Sequence, residues 1–382
     1  MAWKIPLSDI DMGTAEIAAV TKVLESRWLT LGAITQEFEE KFAEETGAKH
    51  AIAVTNATAA LHLACVVAGL GPGDEVILPS LTFVATANAV RYVGATPVFA
   101  DITGEDNLNI SPESIRENLS PRTKAIIVVH YAGYACAMDE ILRIASEYNL
   151  KIIEDAAHAS GASLNDKGLG TFGQTGCFSF FSNKNMTTGE GGMLTTQDDS
   201  VAEHLRTLRS HGMTSMTWDR HKGHAWSYDV TDLGYNYRID EIRSALGIVQ
   251  LGKLKGNNLR RQALTELYRE MLAEIVPEIK MPFASINGNS AYHILPVLLP
   301  SGANRLVFMD EMKAQGVQTS IHYPPIHTFK AFREAHYPSK DLTLTESIAS
   351  REVTLPLYPT MTKDDLMQVL DAVKKSLKIS VN

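Results

Sequence analysis

Two hydrophobic patterns alternate along the first half of the chain. Short, nearly unbroken apolar runs at residues 50–54, 75–79, 96–101, 125–130 and 151–155 read as strands buried on both faces. Between them, residues 14–27, 34–46, 59–69, 111–119 and 139–148 carry apolar positions every three or four residues, and a further helix opens at 82–86. Strands of that kind separated by amphipathic helices predict an α/β fold, a mainly parallel sheet flanked by helices on both faces. Ligands of such sheets bind at the carboxyl ends of the strands.

The second half changes character. An apolar run beginning at Phe178 stops abruptly in polar residues around Lys184, several glycines follow, and residues 193–196 suggest a strand turning back. A helix is expected over 200–208. Residues 210–232 have no periodicity and read as a long loop serving a site or a subunit contact. The stretch 233–238 is aromatic and polar at once, and helices are expected over 240–251 and 259–275. From about residue 279 the composition shifts to a strand at 292–299, a helix at 304–315, a strand at 318–321 and a helix at 363–377. These predict a large domain with an N-terminal helical arm over residues 1–255 and a smaller C-terminal α/β domain over 256–382.

Composition narrows the functional classes. Apolar content is 45% and charged content 21%, ordinary values for a folded globular chain of 382 residues. The formal charge of −9 and the lack of basic runs argue against nucleic-acid binding. Cys65, Cys136 and Cys177 are too few and scattered for a disulfide framework or a zinc site, so no metal is expected. No signal peptide or membrane-spanning apolar run is visible, and a cytoplasmic location is the default expectation.

Three stretches carry candidate chemistry. A lysine projecting from a strand end into a glycine-rich loop, as at Lys184, becomes a nucleophile when desolvation frees its lone pair, and its natural reaction is an imine with a carbonyl. A lone lysine is more often merely solvated. Asp155 ends a buried strand and precedes only small residues, so its carboxylate needs a cation or several donors, unless it simply caps a helix. For His158 a structural hydrogen bond is the commoner role. The strand at 50–54 feeds a helix through Thr55, Asn56, Ala57 and Thr58, which leaves backbone N–H groups for an anion such as phosphate, although Asn56 and Thr58 fit an ordinary cap equally well.

Taken together, Glu154-Asp155-Ala156-Ala157-His158, the run 178–193 and the stretch 233–238 resemble the sugar aminotransferases of the DegT/DnrJ/EryC1/StrS family, which have the fold type I, aspartate-aminotransferase-like architecture. The resemblance extends from Trp28 to about His327. It implies pyridoxal 5′-phosphate as cofactor, with the imine-forming lysine at Lys184, which also moves the proton, and the partner of the pyridine nitrogen at Asp155. It further implies a phosphate site at Ala57, Thr58 and Ser179, completed by Asn236 of a neighbouring subunit in a homodimer. Phe83 matches the aromatic that stacks on the cofactor ring. His158 occupies a place near the ring hydroxyl that is glutamine in many relatives. The implied donor is an amino acid, L-glutamate by family habit, and the implied acceptor a keto-sugar, most often a nucleotide-linked keto-hexose. Trp28, His322 and His327, with residues 209–220, are expected to shape the acceptor site. The family also contains sugar dehydratases, which carry histidine where this chain has Lys184. A non-catalytic sensor that keeps the cofactor remains the other alternative.

Overall fold

The computed structural model describes residues 3–214, 228–285, 287–335 and 337–381. Seven strands form the central sheet: β1 (His50–Val54), β2 (Glu75–Pro79), β3 (Thr96–Ala100), β4 (Thr123–Val129), β5 (Lys151–Asp155), β6 (Thr175–Ser179) and β7 (Gly192–Thr196). Their spatial order is β1-β7-β6-β5-β4-β2-β3. β7 runs antiparallel to both β1 and β6, whereas the pairs β6 to β5, β5 to β4, β4 to β2 and β2 to β3 are parallel. The expected mainly parallel α/β sheet is therefore present, and the run near 193 does turn back.

Alternate residues of each strand feed two separate cores because strand side chains point to opposite faces in turn. Ile77, Ile126, Val128 and Phe178 join Phe38 and Phe42 under one face. Val76, Leu78, Ile127 and Cys177 meet Leu61 and Leu63 of helix Ala57–Val67 on the other. The ring centroids of Phe42 and Phe178 are 4.9 Å apart, and those of Phe38 and Phe180 5.4 Å. That aromatic group anchors the segment leading to Lys184.

A further core gathers Tyr268, Leu295, Val297, Phe308, Val353 and Val369. It surrounds two antiparallel strands, Leu295–Leu298 and Glu352–Leu355. Ile5 packs into the same core and forms a parallel bridge with Val317, so the N-terminal residues join the C-terminal layer. Several expectations are corrected. The two helices expected over 240–251 and 259–275 are one, Glu241–Ile275, because residues 252–258 contain no proline and keep the helical burial pattern through Leu254, Asn257 and Asn258. The expected boundary between residues 255 and 256 falls inside that helix. Helix Ala57–Val67 starts two residues earlier than expected, and helix Ala85–Tyr92 starts later. The strand expected at 318–321 contributes only isolated bridges such as Ser320 with Thr354. Most of the long loop expected over 210–232 lies outside the described residues. No helix among the described residues is long and apolar enough to cross a membrane.

Helix Ala33–Thr46 begins at Gly32, which has no capping side chain of its own. Glu241, more than 200 positions away, supplies the cap. Its carboxylate accepts from the N–H groups of Gly32 (2.9 Å), Ile34 (2.9 Å) and Thr35 (2.8 Å) and from the Thr35 hydroxyl (2.6 Å). Glu241→Ala is expected to lower stability by about 2–3 kcal/mol, because buried helix-terminal amides would lose their acceptor. Denaturant unfolding of wild type and variant measures it.

Candidate active site

The sheet delivers its candidate residues at one edge. Parallel pairing places Val129 beside Asp155 and Asp155 beside Cys177, so the carboxyl ends of β4, β5 and β6 lie level. Past Ser179 the backbone is held tightly. Phe180 N–H donates to the Gly191 carbonyl at 2.9 Å, Thr188 N–H to the Phe180 carbonyl at 2.9 Å and Lys184 N–H to the Phe181 carbonyl at 2.9 Å. Gly192, which ends this loop, has a steric reason. A Cβ on Gly192 would stand 2.7 Å from the Ala57 nitrogen, so β7 lies against the start of helix Ala57–Val67 only because Gly192 lacks one.

Lys184 is half-buried at the mouth of this edge. Burial lowers its pKa from the ordinary 10.5 to about 8, against the opposing attraction of Asp155. Asp155 is buried, and its pKa is raised by burial against the opposing effects of the Thr86 hydroxyl, the Ala157 N–H and Lys184. Thr86 Oγ1 donates to its Oδ2 at 2.7 Å and Ala157 N–H to its Oδ1 at 3.2 Å. Asp155 is thus not a helix cap. It is a buried carboxylate with two donors and an amine in electrostatic range, and it retains acceptor capacity for a further cation.

Its neighbour Glu154 has a different task. The Glu154 carboxylate accepts from His130 Nε2 at 3.0 Å and from the N–H groups of Gly170, Phe172 and Gly173, each at 2.7 Å. It braces the loop before β6 and leaves Asp155 as the carboxylate that faces Lys184.

His158 is buried, and burial followed by the charge of Lys184 holds it well below its ordinary pKa. Ala132 N–H donates to its Nδ1 at 3.3 Å, which assigns the proton of the neutral ring to Nε2, 3.0 Å from the Tyr323 hydroxyl. Tyr323 keeps its own proton, since burial pushes its pKa up. Its ring lies 5.9 Å from that of Phe83, which is 56% exposed. His322 is buried, and its Nδ1 lies 2.8 Å from Thr354 Oγ1. Thr354 Oγ1 also lies 2.6 Å from Glu352 Oε1, a carboxyl whose pKa burial raises to about 8. Burial and then Lys184 lower the His322 pKa to about 4.

At the other side, Asn56 Oδ1 accepts from Ala59 N–H at 2.8 Å, so it is a helix cap. The N–H groups of Ala57 and Thr58, at the first turn, lie outside the intrahelical ladder and form an anion-binding geometry. Thr55 N–H donates to the Tyr237 carbonyl at 3.0 Å, which lays the 235–238 segment along this helix start. Asn236 itself is exposed.

Lys184, Asp155, His158, Phe83 and His322 are thus brought into one cluster, with Ala57, Thr58 and Ser179 at the adjoining strand ends. Two expected acceptor residues are engaged with other groups of the subunit. His327 is tied to Ser80 Oγ at 2.7 Å and Glu346 Oε1 at 3.0 Å, which engages both ring nitrogens. Trp28 lies over Gly32, where a Cβ would meet its Nε1 at 2.6 Å. Residues 215–220 of the segment 209–220 lie outside the described residues. The sequence analysis missed Thr86, Tyr323 and His293. Thr86 lies one turn beyond Phe83, and Tyr323 directly follows His322, which was expected at the acceptor site. His293 carried no local signal.

The chain matches the DegT/DnrJ/EryC1/StrS aminotransferase family over residues 10–374. An uncharacterized protein of Methanocaldococcus jannaschii is 41% identical over 369 residues, covering 95% of each chain. The spore coat polysaccharide biosynthesis protein SpsC of Bacillus subtilis is 39% identical, covering 99% of this chain and 97% of its own. Among solved structures, Helicobacter pylori PseC, an aminotransferase involved in the biosynthesis of pseudoaminic acid, superimposes with a TM-score of 0.91 at 27% identity, covering 98% of this chain and 99% of its own.

The lysine's electrostatics have a direct readout. Its folded pKa lies below the unfolded value, so burying the amine costs stability below about pH 8, and the cost disappears as pH rises from 8 towards 10.5. In coenzyme-free protein, acylation of Lys184 is expected to have its midpoint near pH 8, and Asp155→Asn should move it lower by removing the one opposing charge. Peptide mass spectrometry of labelled samples across a pH series measures both.

Proposed function

The chain belongs to the DegT/DnrJ/EryC1/StrS aminotransferase family, and from that premise we propose that it moves an amino group from an amino acid, L-glutamate by family habit, to a keto-sugar. The acceptor class implied by the resemblance is a nucleotide-linked keto-hexose, and the cofactor is pyridoxal 5′-phosphate. The observation that carries the proposal is one amine, Lys184, with its pKa lowered to about 8 opposite one buried carboxylate, Asp155.

The residues present fit that coenzyme. Asp155 is a buried acceptor suited to a protonated ring nitrogen, the Ala57 and Thr58 amides with Ser179 suit a phosphate, and Phe83 has an exposed ring. When bound, the coenzyme supplies the carbonyl that carries the amino group and the electron sink that makes the neighbouring C–H acidic. The protein supplies the rest. Lys184 would hold the coenzyme through its carbonyl and, once freed, would be the base that takes the donor's proton and the acid that gives it back. A lysine near pKa 8 performs both tasks at neutral pH, since enough amine is present to accept and enough ammonium to donate. Asp155 would keep the ring nitrogen protonated. Tyr323, whose hydroxyl accepts from His158 Nε2, keeps its own proton to donate, a group suited to a sugar hydroxyl.

Lys184→Ala is expected to lose borohydride fixation of the coenzyme and to slow the glutamate half-reaction by at least about a thousandfold. Wild-type protein that binds the coenzyme but shows no half-reaction would point to a sensor instead.

The second subunit enters through Asn236. That residue is exposed beside a surface on which Leu233 is 79% and Val230 55% exposed, an arrangement suited to burial against a second copy. Sedimentation is expected to show a dimer. Asn236→Ala should weaken coenzyme binding about tenfold, the loss of one hydrogen bond to a charged group. A fully active monomer would overturn the shared site.

A further inference from the structure

His293 brings a ring nitrogen, Nε2, to 3.4 Å from Lys184 Nζ. Which atom of that imidazole carries the proton is decided by a chain of amides behind it. Asn258 donates Nδ2 to the Ser160 carbonyl at 2.9 Å, which turns its Oδ1 towards Asn185. Asn185 donates Nδ2 to that oxygen at 2.7 Å and to the Ala291 carbonyl at 2.6 Å. Its own Oδ1 must then face His293 Nδ1, at 2.8 Å, and an amide oxygen there accepts only from a protonated Nδ1. A neutral imidazole protonated at Nδ1 has its lone pair at Nε2, aimed at the lysine.

The ring is kept neutral and still. Burial, followed by the charges of Lys184, His158, Arg261 and His322, holds His293 well below its ordinary pKa. Its N–H donates to the Ala132 carbonyl at 2.9 Å, its carbonyl accepts from Arg261 Nη1 at 3.1 Å, and its ring centroid is 4.4 Å from that of His158. The groups facing Lys184 are Asp155 and His158 at the end of β5, with His293 and His322 on the C-terminal side. Among these, His293 is the one for which a hydrogen bond to Nζ is formed.

We propose that His293 is a positioning residue: its Nε2 accepts an N–H of Lys184 whenever that amine is not joined to a carbonyl, and so fixes where the freed amine waits. The role rests on Lys184 being the coenzyme lysine. His293 neither gains nor loses a proton in it. The amine's own lone pair is left pointing away from the imidazole, free to take the donor's proton.

Three variants test this. Gln at 293 can still reach Nζ with an acceptor, Asn is too short, and Leu fills the space without one. His293→Leu and His293→Asn should slow the single-turnover glutamate half-reaction of the holoenzyme about ten- to a hundredfold, with KM for glutamate changed less than about twofold, and His293→Gln should recover most of the rate. In coenzyme-free protein, the pH midpoint of Lys184 acylation should fall by about half to one unit in the Leu and Asn variants, because the ammonium loses its acceptor, and return in Gln. Should the Leu variant fail to fold, the contrast between Asn and Gln decides alone. Wild-type rates and midpoints in the Asn variant, or equal losses in Asn and Gln, would overturn the proposal. Absence of borohydride fixation in wild type would instead overturn the coenzyme reading, while the acylation series would still report the contact between Lys184 and His293.

Discussion

Two groups that water would normally stabilise, the Lys184 amine and the Asp155 carboxylate, are withdrawn together to the same edge of the sheet. Burial pushes the lysine towards its neutral form and the aspartate towards its neutral form, while their mutual attraction pulls both back. The balance leaves an amine that titrates near pH 8 and a carboxylate with spare acceptor capacity. Neither property belongs to a solvated residue. The register that pairs Asp155 with Cys177, and the aromatic packing of Phe178 and Phe180 against Phe38 and Phe42, are what bring the two chain segments together.

Around that pair the protein spends polar side chains on orientation. Glu154 collects three backbone amides and His130, and so fixes the loop before β6. Asn258, Asn185 and His293 form a line ending at Lys184 Nζ. Beside that line, Ala132 N–H fixes the tautomer of His158, which donates to Tyr323. The second line joins the sheet to the C-terminal layer, since Tyr323 follows His322, whose ring is held by Thr354 on the strand Glu352–Leu355. Relative placement of the two layers therefore sets what the lysine meets.

The same logic explains the helix starts. Gly32 and Gly192 both sit where a neighbouring element comes too close for a side chain: Trp28 and Glu241 in the first case, the beginning of helix Ala57–Val67 in the second. At Gly32 a distant glutamate supplies the cap. At Asn56 the cap is local, which leaves the amides of Ala57 and Thr58 outside the ladder for an anion.

Local pattern determined the five parallel strands from residue 50 to residue 155, their burial on both faces, the turning back of β7 and the positions of Lys184 and Asp155, because each depends on residues adjacent in the chain, whereas it missed the strand Glu352–Leu355. Order and spacing of three short stretches determined the family. What only the tertiary structure decided is which residues share a contact across long separations. His293 joined Lys184 from 109 positions away, and Glu241 capped a helix 209 positions before it. His327 and Trp28 went to Ser80 and Gly32. The continuous helix Glu241–Ile275 was likewise hidden, because its middle is stabilised by packing rather than by strong local propensity. A hydrogen bond has no preferred sequence separation, so its partners are fixed only when the layers close upon one another.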